Sequence, residues 1–408
     1  MKRVGMIGGG QLAWMMAGAA KKLGVELIVQ TPSSDDPAVS IAAAVVLAAI
    51  DDATATAQLA TQCDVITFEN EFVNLEALAL LEKQGVCFRP SLATLKPLLD
   101  KYHQRCYLRD LGLLTPQFLA LEEDRQQASQ SVSRRELGVS TQKPGVTQNP
   151  SFSFPVVLKT RRHGYDGQGT FIVKNAQELD STLKQLRGCS LLLEAFVPFE
   201  RELAAIAARS VTGDIVVYPI VETQQEQQVC RRVFAPAEVN AAIVADVEAI
   251  VHTLLTSLQV VGVFGIEFFL TTDGRVLVNE IAPRTHNSGH FTLDACEASQ
   301  FEQQLRTVCG LPLGSSAMQA AGAVMVNLLG YEDSQSDYQE KRQQLAAIPN
   351  AHLYWYGKAE SRLGRKLGHV TVLLKEPQQG IEIANAIEAI WYDDRVDALA
   401  QDASALAK

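Results

Sequence analysis

Residues 263–290 read VFGIEFFLTTDGRVLVNEIAPRTHNSGH, and the architecture can be worked outward from them. Two runs rich in apolar, β-branched and aromatic residues, 263–270 and 275–281, flank Thr271-Thr272-Asp273-Gly274, a hairpin signal. With Asp273-Gly274 as a two-residue turn, Thr272 pairs with Arg275, and the register sets Glu267 opposite Glu280. Like charges directly opposite destabilise a sheet, so either the acids project into water or a divalent cation sits between them. The apolar flanks imply a partly buried face and favour the cation. Hard carboxylate oxygens that leave positions for phosphates are what magnesium takes. Directly after the second strand, Arg284-Thr285-His286-Asn287-Ser288-Gly289-His290 concentrates polar side chains in a way that points to a ligand, with a satisfied loop as the bland reading.

Upstream, strand and helix signals alternate: a strand over 4–7, a glycine turn, a helix over 11–23, strands over 25–29 and 64–68, and a helix over 74–84. This is a βαβ pattern and predicts a parallel, doubly wound sheet. Gly8-Gly9-Gly10-Gln11-Leu12-Ala13 follows the first strand and opens the helix, where backbone N–H groups and the positive helix end suit a phosphate. A dinucleotide, another phosphorylated ligand, or a tight turn with no ligand all fit. The second strand finishes on Gln30-Thr31 rather than on an acid that would hold a ribose, which weighs against the dinucleotide.

Pro90 and Pro97 punctuate the end of this segment, and a helix over 100–111 leads into Leu114-Thr115-Pro116, so a boundary is placed near 98. The Gln/Ser/Pro-rich stretch 122–155 reads as a solvated insertion. A strand over 154–159, a loop, a strand over 170–173, a helix over 176–186 and a strand over 190–194 then compose a small α+β unit. Its loop joins Lys159, Arg161, Arg162 and His163 to Gly164, Gly167 and Gly169. Backbone freedom, exposed amides and positive charge together suit a loop closing over a triphosphate, against the alternative of a solvated basic hairpin. The last segment carries strands over 324–328, 352–356 and 369–374. Its basic cluster of Lys358, Arg362, Arg365 and Lys366 suits one phosphate or is a solvated charge run.

The 408 residues exceed one ordinary core and allow two or three domains. Apolar residues are 47% and charged residues 20%, a globular composition, and 46 acids against 36 bases leave no footprint for nucleic acid or an anionic bilayer. The apolar run 41–50 falls short of the roughly 20 residues that span a membrane. Met1-Lys2-Arg3-Val4-Gly5 runs straight into a strand without a signal-peptide pattern, and the seven scattered cysteines contain no C-x-x-C pair. A cytoplasmic location with reduced thiols is the expectation.

Taken in order, Gly8-Gly9-Gly10-Gln11-Leu12, Thr67-Phe68-Glu69-Asn70-Glu71, Gly164-Tyr165-Asp166-Gly167-Gln168-Gly169, the run from Asn279 to His290, and Gly364-Arg365-Lys366-Leu367-Gly368-His369 resemble the ATP-grasp superfamily. Within it they resemble the 5-(carboxyamino)imidazole ribonucleotide synthases, over nearly the whole chain outside 122–155. The resemblance implies an α/β and α+β fold with three domains. These are an N-terminal βαβ, Rossmann-like pre-ATP-grasp domain at 1–98, a central ATP-grasp domain at 99–315 with a mobile small lobe at about 155–196, and a small C-terminal β-rich domain at 316–408. It implies an ATP-dependent carbon–nitrogen ligase of purine synthesis. Such an enzyme uses ATP, Mg2+, bicarbonate and 5-aminoimidazole ribonucleotide, works through carboxyphosphate, and is expected as a homodimer.

By the same resemblance Lys101 and Lys159 contact ATP phosphates, and Gly164, Tyr165, Asp166, Gly167, Gln168, Gly169 and Thr170 form the lid. Glu194, Ala195, Phe196 and Val197 form the hinge strand at adenine, and Glu202 meets the ribose. Glu267 and Glu280 hold magnesium, supported by Asn279. For the ribonucleotide, Gln11, Leu12 and Glu69 lie at the glycine turn, and Lys358 with Arg365 hold its phosphate. Arg284, His286 and Asn287, with Tyr165 and Asp166, line the space where carbon meets the amine. Asp166 and His286 handle the proton, the base between them being open. Lys101, Gln168, Gln225 and Trp14 depart from the pattern at places where relatives carry arginine or another cation, and for Gln225 a histidine. Another ATP-grasp ligase, such as a formate-dependent glycinamide ribonucleotide transformylase or a biotin carboxylase, and a non-catalytic nucleotide-binding protein are the alternatives. The segment from Arg284 to His290 speaks for the imidazole substrate, and the presence of both Glu267 and Glu280 for turnover.

Overall fold

Apolar strands alternating with short helices open the chain as the pattern predicts. In the computed structural model, which describes residues 1–121, 152–162, 164 and 168–392, they are β1 (Lys2–Ile7), β2 (Val25–Thr31), β3 (Ala44–Leu47) and β4 (Val65–Phe68). All pair in parallel in the order β3-β2-β1-β4, with Val4 opposite Leu27 on one side and Val65 on the other. The direction of winding reverses between β1 and β4. The carboxyl ends of those two strands are therefore a switch point, where open α/β sheets bind ligands.

Two details depart from the sequence reading here. The helix expected over 11–23 is two pieces, Gln11–Trp14 and Ala17–Leu23, because Met16 N donates to Ala13 O (3.1 Å) in a tighter turn. β2 runs on to Thr31, so Gln30 is inside the strand and wholly buried. Its amide donates to Ala49 O (2.7 Å) and accepts from Thr56 Oγ1 (2.8 Å), tying β2 to the helix Ala53–Ala60. The helices Ala53–Ala60 and Leu75–Lys83 begin on the side-chain caps Asp52 and Asn74.

The chain forms two compact units, Met1–Leu92 with Leu203–Ile266 and Ala282–Lys408, and Ala93–Glu202 with Glu267–Ile281. The second begins with the helix Lys101–Asp110, capped by Asp100, whose carboxylate accepts from Tyr102 N (2.9 Å) and His103 N (3.3 Å). Its antiparallel sheet has the order β5-β8-β6-β7, from β5 (Phe118–Leu121), β6 (Val156–Thr160), β7 (Thr170–Val173) and β8 (Leu191–Ala195). The helix Ala176–Gln185 covers it through Leu179 and Leu183. β5 was not anticipated, so this lobe starts at 118 rather than 155. Phe152, expected at the edge of a solvated insertion, is 1% exposed in the lobe's core. The insertion from 122 to 151 lies outside the described residues.

A larger sheet is built from β9 (Phe199–Arg209), β10 (Ile215–Val217), β11 (Val221–Glu226), β12 (Val229–Ala235) and β13 (Gly262–Thr271), of which β9 from Leu203 on and β13 up to Ile266 belong to the first unit. After β14 (Val276–Ala282) it gains β15 (Gly322–Leu329), β16 (Ala351–Trp355) and β17 (Lys366–Leu374). The order is β13-β9-β11-β12-β15-β17-β16, with β10 on β9. β15 lies antiparallel to β12, Val326 opposite Arg232. The C-terminal strands thus extend the sheet begun by β9 to β12 rather than forming one of their own. Their outer face is covered by the helix Gly380–Tyr392, whose fully buried Trp391 donates through Nε1 to Leu329 O (2.8 Å).

Replacing Trp391 by alanine removes an indole from this core and the donor to a buried carbonyl. The first unit should lose about 3–5 kcal/mol, read as an earlier urea transition by far-UV circular dichroism.

Candidate functional site

Parallel pairing of Ile7 with Phe68 sets the glycine turn after β1 beside Glu69-Asn70-Glu71 after β4. Glu69 N donates to Ile7 O (2.9 Å), and its carboxylate turns back into the glycine turn, where Oε1 accepts from Leu12 N (3.3 Å). A Cβ at Gly8 would sit 2.6 Å from Glu69 Oε2, one at Gly9 2.6 Å from Thr31 Oγ1, and one at Gly10 would collide with Glu69 Oε1. Gly8 also has φ +112°. The three glycines are therefore required by an internal carboxylate and hydroxyl. The Leu12 N–H that the sequence offered to a phosphate is used by Glu69. Packing pushes the Glu69 carboxyl above its ordinary value, opposed by the Arg284 charge and by N–H donors at Gly10 and Leu12.

Arg284 belongs to the same group: its Nε is 3.0 Å from Glu71 Oε1, and Nη1 donates to Thr285 O (3.1 Å). His286 packs where β13 has Gly265, since a Cβ there would collide with the His286 side chain. Arg284 and His286 keep partial exposure, but Thr285, Asn287, Ser288 and His290 are buried. Asn287, expected to line the substrate space, instead makes a reciprocal amide pair with Asn327 (2.9 and 2.7 Å) that docks the loop on β15. The His290 ring lies 4.9 Å from that of His369. Burial holds His290 well below the usual imidazole range and His369 down to about 3, so both are neutral core groups.

The basic loop between β16 and β17 joins this side of the unit. Lys358 Nζ donates to Lys366 O (2.7 Å) and lies 5.6 Å from the Tyr356 ring, while Arg365 Nη1 donates to Glu360 O (3.0 Å). Trp14, just past the glycine turn, meets Tyr356 edge-on at 6.4 Å. In the first unit Leu12, Glu69, Glu71 and Arg284 thus form one group, while Lys358 and Arg365 are held within their own loop.

In the second unit a buried ion cluster dominates. Glu194 Oε1 is 2.6 Å from Arg105 Nε and Oε2 is 2.9 Å from Lys159 Nζ, and Lys159 also donates to Asn279 Oδ1 (3.3 Å). Burial alone would raise the Glu194 carboxyl, but Arg105 and Lys159 more than offset it and hold it at about 2. Burial lowers the Lys159 ammonium, with Glu194 opposing. Glu194, expected at adenine, thus has its side chain committed inward, so any hinge contact must come from its backbone or from residues 195–197. β8 ends at Ala195, whose N–H goes to Gln117 O (2.8 Å), and Phe196 is 37% exposed. Glu202 stands half-buried in β9. Arg105 is a member of the cluster that the motifs do not contain; its spacing of four from Lys101, which puts both cations on one helix face, is the signal for it.

Lys101 Nζ lies 2.7 Å from Glu280 Oε2. Burial raises the Glu280 carboxyl, but Lys101 and Lys159 outweigh it and hold it at about 2. The hairpin closes differently from the expected two-residue turn. Gly274 N donates to Thr271 O (2.9 Å) and Thr271 N to Arg275 O (3.0 Å), with Gly274 at φ +78°. The loop has three residues and a glycine bulge, so the pairing is displaced by one. Across it Asn279 Nδ2 comes 3.5 Å from Glu267 Oε2, one residue before Glu280. Glu267, Asn279 and Glu280 supply a hard oxygen set, and among the described residues no group of three or more His, Cys, Asp or Glu could cage a metal. Such a set fits an ion that keeps most positions for water or phosphate, as magnesium does.

At the start of the loop after β6, Arg161 is not available to a phosphate: Nε and Nη2 hold Asp100 at 2.9–3.1 Å. Thr160 N donates to Gly169 O (2.8 Å), and Gly169, at φ +79°, has no room for a Cβ beside Thr160. Gly164, Gln168 and Thr170 are in place around this closure, whereas Tyr165, Asp166 and Gly167 lie outside the described residues.

Three stretches match known domain families: a ribonucleotide synthetase preATP-grasp domain at 1–96, an ATP-grasp domain at 107–301, and a phosphoribosylaminoimidazole carboxylase C-terminal domain at 323–382. The chain is 54% identical over 397 residues to an N5-carboxyaminoimidazole ribonucleotide synthase of Synechococcus elongatus, with 96% of each covered. It is similar to the carboxyaminoimidazole ribonucleotide synthase of Aspergillus clavatus complexed with ATP, with a TM-score of 0.85, 29% identity, and 95% and 98% of the chains covered. The same fungus's enzyme in complex with ADP and 5-aminoimidazole ribonucleotide matches with a TM-score of 0.84 at the same identity and coverage.

Glu194→Gln leaves Arg105 and Lys159 buried without their shared anion, which should cost about 3–5 kcal/mol at neutral pH. The folded-state carboxyl is depressed, so its contribution is complete above the unfolded value of about 4.3 and is lost as pH falls toward about 2. The gap in urea midpoint between wild type and Glu194→Gln should therefore narrow over that window.

Proposed function

This chain belongs to the N5-carboxyaminoimidazole ribonucleotide synthase family of ATP-grasp enzymes, and on that premise we propose which of its residues carry the reaction. The reaction is the ATP-dependent carboxylation of 5-aminoimidazole ribonucleotide to its N5-carboxy derivative, a step of purine synthesis. Bicarbonate supplies the carboxyl group. A bicarbonate oxygen takes the γ-phosphoryl group of ATP, ADP leaves, the exocyclic amine attacks the carbon of the resulting carboxyphosphate, phosphate departs, and one amine proton passes to a base.

Phosphoryl transfer needs little covalent help and much charge neutralisation at fixed positions. Lys101 and Lys159 provide it, and the observation that carries this reading is how they are held: Lys159 by Glu194 at 2.9 Å, Lys101 by Glu280 at 2.7 Å. Cations fixed by internal partners require no rearrangement as charge shifts toward the transferred group. Glu267, Asn279 and Glu280 would hold Mg2+, which when bound neutralises phosphate charge. The hinge 194–197 and Glu202 receive the nucleoside, and the loop 164–170 closes over the phosphates.

For the acceptor, Glu69 with its raised carboxyl pKa holds the amine at the glycine turn beside Gln11 and Leu12. Arg284, steadied by Glu71, neutralises the carboxylate being transferred, and Lys358 with Arg365 take the ribonucleotide phosphate. Tyr165 and Asp166 act with His286 at the carboxylation step, the proton going to Asp166 or His286. Among the described residues no helix is long and apolar enough to cross a membrane. A homodimer acting in the cytoplasm completes the proposal.

With magnesium and bicarbonate, ADP release should rise strongly on adding 5-aminoimidazole ribonucleotide and stay flat with glycinamide ribonucleotide plus formate. The reverse response would move the acceptor to another ligase. Glu280→Gln should abolish that turnover while circular dichroism stays native, and a fully active variant would remove the magnesium assignment.

A further inference from the structure

We infer that Gln300 is a positioning residue that sets the backbone of His286, and through it the carboxylation step; the inference rests on the role given to His286 above. Gln300 opens the helix Gln300–Cys309, which Ser299 caps by accepting from Glu302 N (3.2 Å). That helix is fixed first by its apolar face, where Phe301, Leu305 and Val308 are buried with Val4, Met6 and Val29 of the parallel sheet. Its first residue is thereby brought, wholly buried, against the loop after β14.

The Gln300 amide grips both polar groups of one residue. Oε1 accepts from His286 N (2.9 Å) and Nε2 donates to His286 O (2.7 Å), as a neighbouring strand would. The same Nε2 lies 3.2 Å from His290 Nδ1, and an amide nitrogen only donates, so His290 accepts there and carries its proton on Nε2. Gln300 N donates to Thr292 Oγ1 (2.9 Å), which donates to Gly289 O (2.6 Å). A Cβ at Gly289 would lie 2.6 Å from Gln300 Oε1, so the loop approaches the amide as closely as a glycine allows.

A buried amide is tolerated only when its groups are paired, and a leucine would fill this volume without that demand. Two of the three Gln300 amide contacts end on His286 itself, which holds an extended backbone at φ −127° and ψ 153°. The side chain of His286 leaves that backbone between Gly265 and Ser288, whose N–H lies 3.4 Å from Nδ1. Gln300 thus sets the backbone from which the imidazole projects, two residues after Arg284.

The test uses full-length Gln300→Met, Gln300→Glu and His286→Ala. Loss of the clamp should lower kcat for ADP release with 5-aminoimidazole ribonucleotide about 10- to 100-fold, the cost of a small misplacement of a reacting group, with KM for ATP unchanged. Gln300→Glu should show pH-dependent rescue. An ionised carboxylate can accept from His286 N but cannot donate to His286 O, whereas the protonated acid does both. Its kcat relative to wild type should therefore climb as pH falls from about 8 to about 6, where a buried carboxyl takes up its proton, and Gln300→Met should show no climb. The inference is overturned by Gln300→Met within about twofold of wild type, by a loss that only follows the unfolded fraction in thermal melts, or by a shared pH profile for the two variants. If Gln300→Met does not fold, the pH rescue of Gln300→Glu decides alone. A fully active His286→Ala would instead remove the role given to His286, and an inactive His286→Ala beside an active Gln300→Met would remove only the role of Gln300.

Discussion

The carboxylate of Glu194, buried between Arg105 and Lys159, is the interaction on which the second unit depends. It joins the helix Lys101–Asp110 to β6 and β8 at one point. Three charges are tolerable there because each is paired within 2.9 Å, and removal of the shared carboxylate would leave both cations stranded in a medium that solvates them poorly. Lys101 rides on the same helix one turn before Arg105, and Asn279 accepts from Lys159. The ionic core therefore also sets where the acids of the hairpin find their cations. A structural ion pair and a catalytic charge array share their members.

The first unit uses hydrogen bonds and glycine for the same purpose. Glu69 fills the glycine turn, Asn287 and Asn327 clasp each other beneath β15, and Gln300 holds His286 by its backbone. Segments dense in polar residues are in each case divided between groups that hold the loop and groups left to act. In the run from Arg284 to His290 the division is sharp, with Arg284 and His286 partly exposed and the polar side chains between and after them buried.

Much of this was legible in the sequence because local signals agreed with the tertiary fold. Asn74 and Asp100 cap the helices expected there, and the apolar periods of β1, β2, β4, β7 and β15 to β17 locate those strands, whereas β3 and the helix Ala53–Ala60 were not anticipated. The misses have physical causes. Asp273-Gly274 is equally good chemistry for a two-residue turn and for a three-residue loop ending in a left-handed glycine, and only the pairing of Thr271 with Arg275 separates them. β5 is four residues long and takes its status from β8, and Phe152 is recruited to a core across a polar stretch. Asn287 reads as a ligand-facing amide because nothing local points to its partner, Asn327, 40 residues on in a strand that is otherwise apolar. Conversely, the spacing of four that puts Lys101 and Arg105 on one helical face is explicit in the sequence.

The placement of β15 beside β12 carries a consequence for how the molecule is made. Arg232 must wait for Val326 before its strand acquires its second neighbour, and β17 and β16 can add only after that. Contacts so distant along the chain raise contact order and slow folding. On the ribosome, the edge of β12 emerges long before its partner, with an open row of amides and carbonyls of the kind that invites intermolecular pairing. Two arginines on that edge, Arg231 and Arg232, lodge against Glu388 of the last helix once it has been synthesised. Until then they are charges on a naked strand, which is how natural sheets discourage aggregation during synthesis.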